Sequence, residues 1–232
     1  MSGLSRPTLC LVTDRRRLTP DADSEAAVLV LERFLDQAVE AGVDLIQLRE
    51  RDLEAGVLCR LVRRVVDRTR GSGVRVVVND RADVALAAGA DGLHLRGDGP
   101  AAGSFRPLSP AWVIGRSVHR HDVADPDPNA DYLLFGTVFS TASKPDLTPS
   151  GLGPLAALAA SSPTPVLAIG GITPGNAREC RIAGAAGIAA IGAFLPEGTA
   201  PGALGVRAAV RAFRAALGEA SQTGEPTFEP AY

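Results

Sequence analysis

A chain of 232 residues can bury a core for one α/β barrel or for two small domains, and 46% hydrophobic with 22% charged residues is the make-up of a soluble globular protein. A net charge of -2 offers no general attraction to nucleic acid or an anionic membrane, so an anionic ligand has to be held by local groups, which favours a small-molecule site. The three cysteines, Cys10, Cys59 and Cys180, lie far apart with no metal-like spacing and read as buried thiols of a reducing compartment. No apolar stretch is long enough for a signal peptide or membrane span, so a cytoplasmic location is expected.

The elements alternate from the start. TLCLVTD (8–14) reads as a strand, followed by a proline-containing loop and a helix over 24–41, in which Val28, Leu31, Leu35 and Val39 recur every three or four residues and Gly42 ends the run. A second strand (44–50) and helix (53–70) follow, then a third strand RVVVND (75–80) and a short helix (81–88). GLHLR (92–96) is the fourth strand, but the crossover after it (97–110) is rich in Gly and Pro and holds little helix. WVIGRSVH (112–119) is the fifth strand, and HRHDVADPDPNA makes another weak crossover. Tyr132 to Phe139 is the sixth strand, ending in a loop that carries Lys144, the only lysine of the chain. A short helix (155–160), a strand from Pro165, a helix (174–183), a strand from Gly187 and a last helix (203–217) complete the pattern, with a polar, disordered tail expected from 218 to 232. Eight apolar strands alternating with crossovers predict an α/β fold in one domain, a (β/α)8 TIM barrel with weak helices after strands four and five. A doubly wound sheet is the competing fold, but no G-x-G-x-x-G follows the first strand.

In such barrels chemistry sits at the C-terminal strand ends. Those ends carry Gln47, Arg49 and Arg51 after strand two, Asn79 and Asp80 after strand three, and His94 and then Asp98 after strand four. Ser117 and His119 follow on strand five, Thr141, Ser143 and Lys144 on strand six, and the glycines Gly170, Gly171 and Gly192 on strands seven and eight. Arginines, a lysine, hydroxyls and a glycine nest at the usual phosphate position of barrels point to one phosphate and a diphosphate. Each residue also has a plain structural reading: Asp80 could cap the helix beginning at Arg81, Arg49 and Glu50 could belong to a structural ion pair at the rim, and Gly170-Gly171 could be only a turn. His94 reads first as a core residue supporting the site, and His121 as a surface residue.

QLRER, NDRADVALAAGADGLHL, GRSVH, ADYLLFGTVFSTASK, PVLAIGGITPGN and GAAGIAAIGA, in this order, resemble the superfamily of thiamine phosphate synthase and the TenI thiazole tautomerase. For a synthase the resemblance implies the joining of hydroxymethylpyrimidine diphosphate to thiazole phosphate with release of diphosphate and magnesium assistance. Gln47, Arg49, Arg51, Asn79, Ser117 and Lys144 would then meet the pyrimidine diphosphate, Asp80 would hold the metal, and Thr141, Ser143, Gly171, Ile191 and Gly192 would receive the thiazole phosphate. The chain departs from the family pattern in places. QLREK is QLRER, and Thr-x-Thr-Lys-Lys-Asp is TASKPD. The G-Q-x-D motif after strand four has Gly99 at its metal-binding position, with the carboxylate moved to Asp98, which weakens the expected magnesium site. The resemblance to the tautomerase would make His119 a proton carrier, and a barrel that only binds a phosphorylated ligand is the non-catalytic alternative. The sequence leaves room for a homo-oligomer.

Overall fold

A strand that is apolar at nearly every position has no face to offer to water, and the structure satisfies this by closing the sheet. The computed structural model describes residues 4, 7–22, 24–119, 127–141, 146–196, 198 and 203–218. In it β1 (Thr8–Val12), β2 (Leu45–Leu48), β3 (Arg75–Asn79), β4 (Gly92–Leu95), β5 (Val113–Val118), β6 (Tyr132–Gly136), β7 (Val166–Ile169) and β8 (Gly187–Ala190) run parallel round a closed barrel, and β8 pairs back onto β1. The strands are those read from the sequence with shorter bounds: β6 ends at Gly136 rather than Phe139, and the run after β8 winds into a 3-10 turn at Gly192–Phe194.

Alternation along each strand divides the core into two layers. Cys10, Val12, Leu45, Val77, Leu134 and Leu167 belong to a cluster inside the barrel. Their neighbours Leu11, Ile46, Val76, Val78, Leu133 and Ala168 belong to the layer between sheet and helices. The inner row turns polar toward the C-terminal end, where Gln47, Asn79 and His94 are buried. Gly115 makes room there for a ring: a Cβ built on it would fall 2.0 Å from Cζ of Tyr132, so β5 cannot carry a side chain where β6 sends its tyrosine inward.

The outer layer consists of α1 (Arg15–Leu18), α2 (Ser24–Ala41), α3 (Ala55–Thr69), α4 (Ala82–Ala88), α5 (Leu152–Ser161), α6 (Pro174–Ile182) and α7 (Val206–Leu217). The bounds of α2 are those expected. The turn α1 corrects the expectation of a plain loop: RRRL has no apolar period, but Asp14 caps it by accepting the Arg17 N-H at 3.3 Å. The helix after β6 starts three residues earlier than expected, and α7 starts at Val206 because Gly205 still has φ 74.

The crossover after β4 is as poor in helix as its composition implies, holding only a 3-10 turn at Ala102–Phe105. Arginines bind it together. Arg116 donates to the carbonyls of Gly97 (2.8 Å), Gly99 (3.0 Å) and Pro100 (2.7 Å), and Arg106 to those of Trp112 (2.7 Å) and Asn129 (2.8 Å) and to Asp131 (2.6 Å). The crossover after β5 cannot be compared in the same way, since 120–126, with His121, lie outside the described residues, as do Ser143, Lys144 and the tail at 219–232. Cys10 and Cys180 are buried as expected, whereas Cys59 on α3 is only half-buried, which corrects the reading of three buried thiols. Among the described residues no helix is long and apolar enough to cross a membrane.

Candidate active site

The C-terminal mouth of the barrel opens into a cavity of about 940 Å³. Gln47, Arg49, Arg51, Asn79, Asp98, Ser117, His119, Thr141, Gly170, Gly171, Ile191 and Gly192, all expected from the sequence, line it together. His94 lines it as well.

On one side polar groups of β2 to β5 fix one another. Gln47 Nε2 donates to Asn79 Oδ1 at 3.1 Å, and Asn79 Nδ2 donates to Asp80 Oδ2 at 2.9 Å, so the order of the motif becomes a chain of oriented amides leading to a carboxylate. Asp80 has φ 58, the only left-handed non-glycine backbone among the described residues, a conformation aspartate tolerates better than most and one that gathers at functional sites. Its carboxylate does not cap α4. Oδ1 accepts the Arg96 backbone N-H at 3.0 Å and Oδ2 lies 3.1 Å from Arg96 Nε, which sets aside the capping reading.

The structural ion-pair reading holds for Glu50 and is corrected for Arg49. Glu50 turns out of the cavity to Arg15 at 3.0 Å in a buried pair, and Arg15 also reaches Asp52 at 2.6 Å. Arg49 instead faces the cavity half-buried, where burial first and the charge of Arg51 second lower its pKa. Such a site favours an incoming anion.

His94 is wholly buried and hydrogen-bonds at both nitrogens, Nδ1 to the Tyr132 hydroxyl at 3.0 Å and Nε2 to Ser117 Oγ at 2.9 Å. Burial, reinforced by the charge of Arg49, pushes its pKa down to about 3. The ring is therefore neutral at physiological pH, with one donor and one acceptor, and serves to orient Ser117. His119 behaves differently: Nδ1 lies 2.8 Å from the Gly136 carbonyl, which only accepts, so Nδ1 carries the proton in the neutral ring and Nε2 is the basic nitrogen.

The other side of the cavity is backbone. Gly170 (φ 98) and Gly171 (φ 65) follow β7, and a Cβ on Gly171 would fall 2.3 Å from the Ser140 carbonyl, so only glycine fits where the β6 and β7 loops touch. Thr173 then starts α6 with a reciprocal capping box to Asn176. Two arginines of the cavity were missed in the sequence, Arg17 and Arg96. Each is one arginine among many, and nothing in the string showed which way its side chain would turn.

The sequence and the fold match those of known proteins. The family model described as thiamine monophosphate synthase matches residues 9–194. The chain belongs to the thiamine monophosphate synthase family. It is 39% identical over 214 residues to the thiamine-phosphate synthase of Roseiflexus sp. (strain RS-1), covering 90% of this chain and 85% of that one. It is 41% identical over 181 residues to the thiamine-phosphate synthase of Moorella thermoacetica, covering 76% and 83%. The solved thiamine phosphate pyrophosphorylase of Pyrococcus furiosus superposes with a TM-score of 0.75 at 32% identity, over 92% of this chain and 96% of that one. By membership of this family the chain is a transferase of thiamine biosynthesis.

Proposed function

We propose that the chain joins hydroxymethylpyrimidine diphosphate to thiazole phosphate in this cavity, releasing diphosphate. The observation that carries this reading is the pairing of two anion receptors in one mouth: cationic and amide side chains after β2 to β4, and the glycine backbone after β7 and β8. In the reaction the bond between the pyrimidine methylene and the diphosphate oxygen breaks, its electron pair leaving with the oxygen. The thiazole nitrogen lone pair forms the new C-N bond, and the pyrimidine ring shares the positive charge that develops. Arg49 and Arg51 take up charge gathering on the leaving group, Gln47 and Asn79 orient the pyrimidine, and Ser117, held by His94, donates to the same substrate. Thr141, Ser143 and Lys144 are assigned by the motif they share with the family; the last two lie outside the described residues.

A magnesium ion fits the donor set in one form only. Among the described residues no group of three or more His, Cys, Asp or Glu side chains could hold a metal by itself. Asp80 and Asp98 flank one Arg96 Nε at 3.1 and 3.6 Å, and magnesium is commonly held by one or two carboxylates with substrate phosphates and water completing its shell. Asp80 and Asp98 would hold the ion together with the diphosphate, and Arg96 would swing aside onto a phosphate oxygen. When bound there, magnesium supplies neutralisation of the leaving diphosphate. The unpaired thiols fit a cytoplasmic setting.

The orientation of His119 supports the tautomerase as a second reading, since its basic Nε2 suits proton abstraction. Incubating the purified protein with both substrates and magnesium, and following thiamine phosphate by mass spectrometry, separates the two. Coupling should occur and fall roughly 100-fold or more in Asp80→Asn. Absence of product at every magnesium concentration sinks the coupling reading, and loss of thiazole aromatisation in His119→Asn would replace it with the tautomerase.

A further inference from the structure

Three consecutive arginines follow Asp14, and two are accounted for by carboxylates. Arg15 pairs with Glu50 and Asp52, and Arg16 pairs with Asp52. Arg17 differs. It lines the cavity half-buried, and among the described residues no carboxylate pairs with its guanidinium. Its guanidinium lies against the glycine opposite: a Cβ built on Gly192 would lie 3.3 Å from one terminal nitrogen of Arg17 and 3.8 Å from the other. Because β1 lies between β8 and β2 in the barrel, the turn after it could serve either side of the mouth, and the side chain has taken the β8 side.

We propose that Arg17 is a substrate-binding residue for the phosphomonoester of the thiazole, closing with its guanidinium a phosphate site whose other wall is backbone at Gly171 and Gly192. A half-buried guanidinium that no described carboxylate pairs with favours an incoming anion, and its planar fork matches two phosphate oxygens. The diphosphate side already holds Arg49, Arg51 and Arg96, whereas the β8 side has Arg17 as its cation among the described cavity residues. Arg17 therefore sets the preference for phosphorylated thiazole over the free thiazole alcohol. The anchoring of Arg15 and Arg16 explains why the third arginine is directed inward, for two guanidinium-carboxylate contacts hold the turn against the β2 loop.

This inference rests on the coupling reading, so its test has one arm that needs turnover and one that does not. In the first, Arg17→Ala should raise the KM for thiazole phosphate roughly 10- to 100-fold, leave the KM for the pyrimidine diphosphate within about twofold, and narrow the preference for phosphate over alcohol by the same factor, with Arg17→Lys recovering part of the loss. Gly192→Ala, which crowds the guanidinium without removing it, should shift the same KM by a smaller factor. An unchanged KM for thiazole phosphate, or a rise for the pyrimidine diphosphate instead, overturns the proposal. In the second arm, calorimetric titration with inorganic phosphate should show binding to the wild type that weakens about tenfold or more in Arg17→Ala. Equal binding by both proteins discards Arg17 even if coupling proceeds, whereas Arg17-dependent phosphate binding without coupling discards the coupling reading and leaves the phosphate site standing. Circular dichroism of each variant establishes that it is folded, and Arg17→Lys, which keeps the charge, carries the test if the alanine variant is not.

Discussion

His94 shows how far a single residue can be understood from its surroundings. Its sequence position, on a strand one residue from the polar end, allowed either a catalyst or a support, and two hydrogen bonds with full burial decide for support. The folded pKa of about 3 lies below the ordinary 6.5, so between these values the unfolded chain takes up a proton that the native chain refuses. Stability is thus expected to fall as pH drops through that window, by up to about 1.4 kcal/mol per pH unit, and to be free of this penalty above it. Burial of Glu50 raises its pKa and acts with the opposite sign, but a comparison with His94→Gln cancels it. Urea unfolding at pH 7, 6 and 5 should give a shallower pH slope for His94→Gln than for the wild type, and equal slopes would show that the ring is not buried neutral. Arg17 and Arg96 mark the limit of what residues reveal in sequence. Their chemistry was plain, but their directions depend on Asp14, Asp52 and Asp80, whose positions only the fold supplies.

At the level of elements, the strands were legible because a parallel barrel demands unbroken apolar runs, and α2 and α3 because their apolar residues recur at helical spacing. The turn α1 was not, since its four residues carry one apolar side chain and its stability comes from a different part of the chain. Arg15 ties it to the β2 loop with side-chain exposures of 5% for the arginine and 2% for Glu50. Arg15 and Arg16 in turn hold the Asp52 carboxyl well below the usual carboxylate range. Glu50→Ala takes one of two carboxylates from the buried Arg15 and leaves it Asp52, so it should cost about 1.5–3 kcal/mol in chemical unfolding. The paired replacement Arg15→Met with Glu50→Leu should cost much less, because it leaves no stranded charge. If Glu50→Ala costs under about 1 kcal/mol, the pair is solvated in solution and cannot be what aims Arg17. The weak crossover after β4 was also legible from its Gly and Pro content, but the use of Arg106 and Arg116 in place of a helix was not, because carbonyl targets carry no sequence signal.

Considered whole, the molecule is slightly acidic, with a net charge of -2, yet its mouth gathers Arg17, Arg49, Arg51 and Arg96. A local concentration of one sign in a concave site focuses its field on anionic substrates, and dissolved salt shortens that field to a Debye length of about 10 Å at 0.1 M. Raising sodium chloride from about 50 to 500 mM should therefore increase the KM of both phosphorylated substrates several-fold with little change in kcat. A flat KM would mean that the arginines act only by contact. The convergence of these groups was legible through the rule that barrel chemistry sits at strand ends, which brought Gln47, Asn79, Ser117 and Gly171 to one place from four separate segments. One feature of the rim bears on how such a protein can diverge. The stretch from 97 to 111 hangs on the guanidinium groups of Arg106 and Arg116 rather than on a wound helix, so residues can be gained or lost there without unpicking a helical repeat. The same stretch begins next to Arg96 and Asp98, so among the described crossovers it is the one whose drift in length would reshape the rim around that ion pair first while leaving the barrel wall intact.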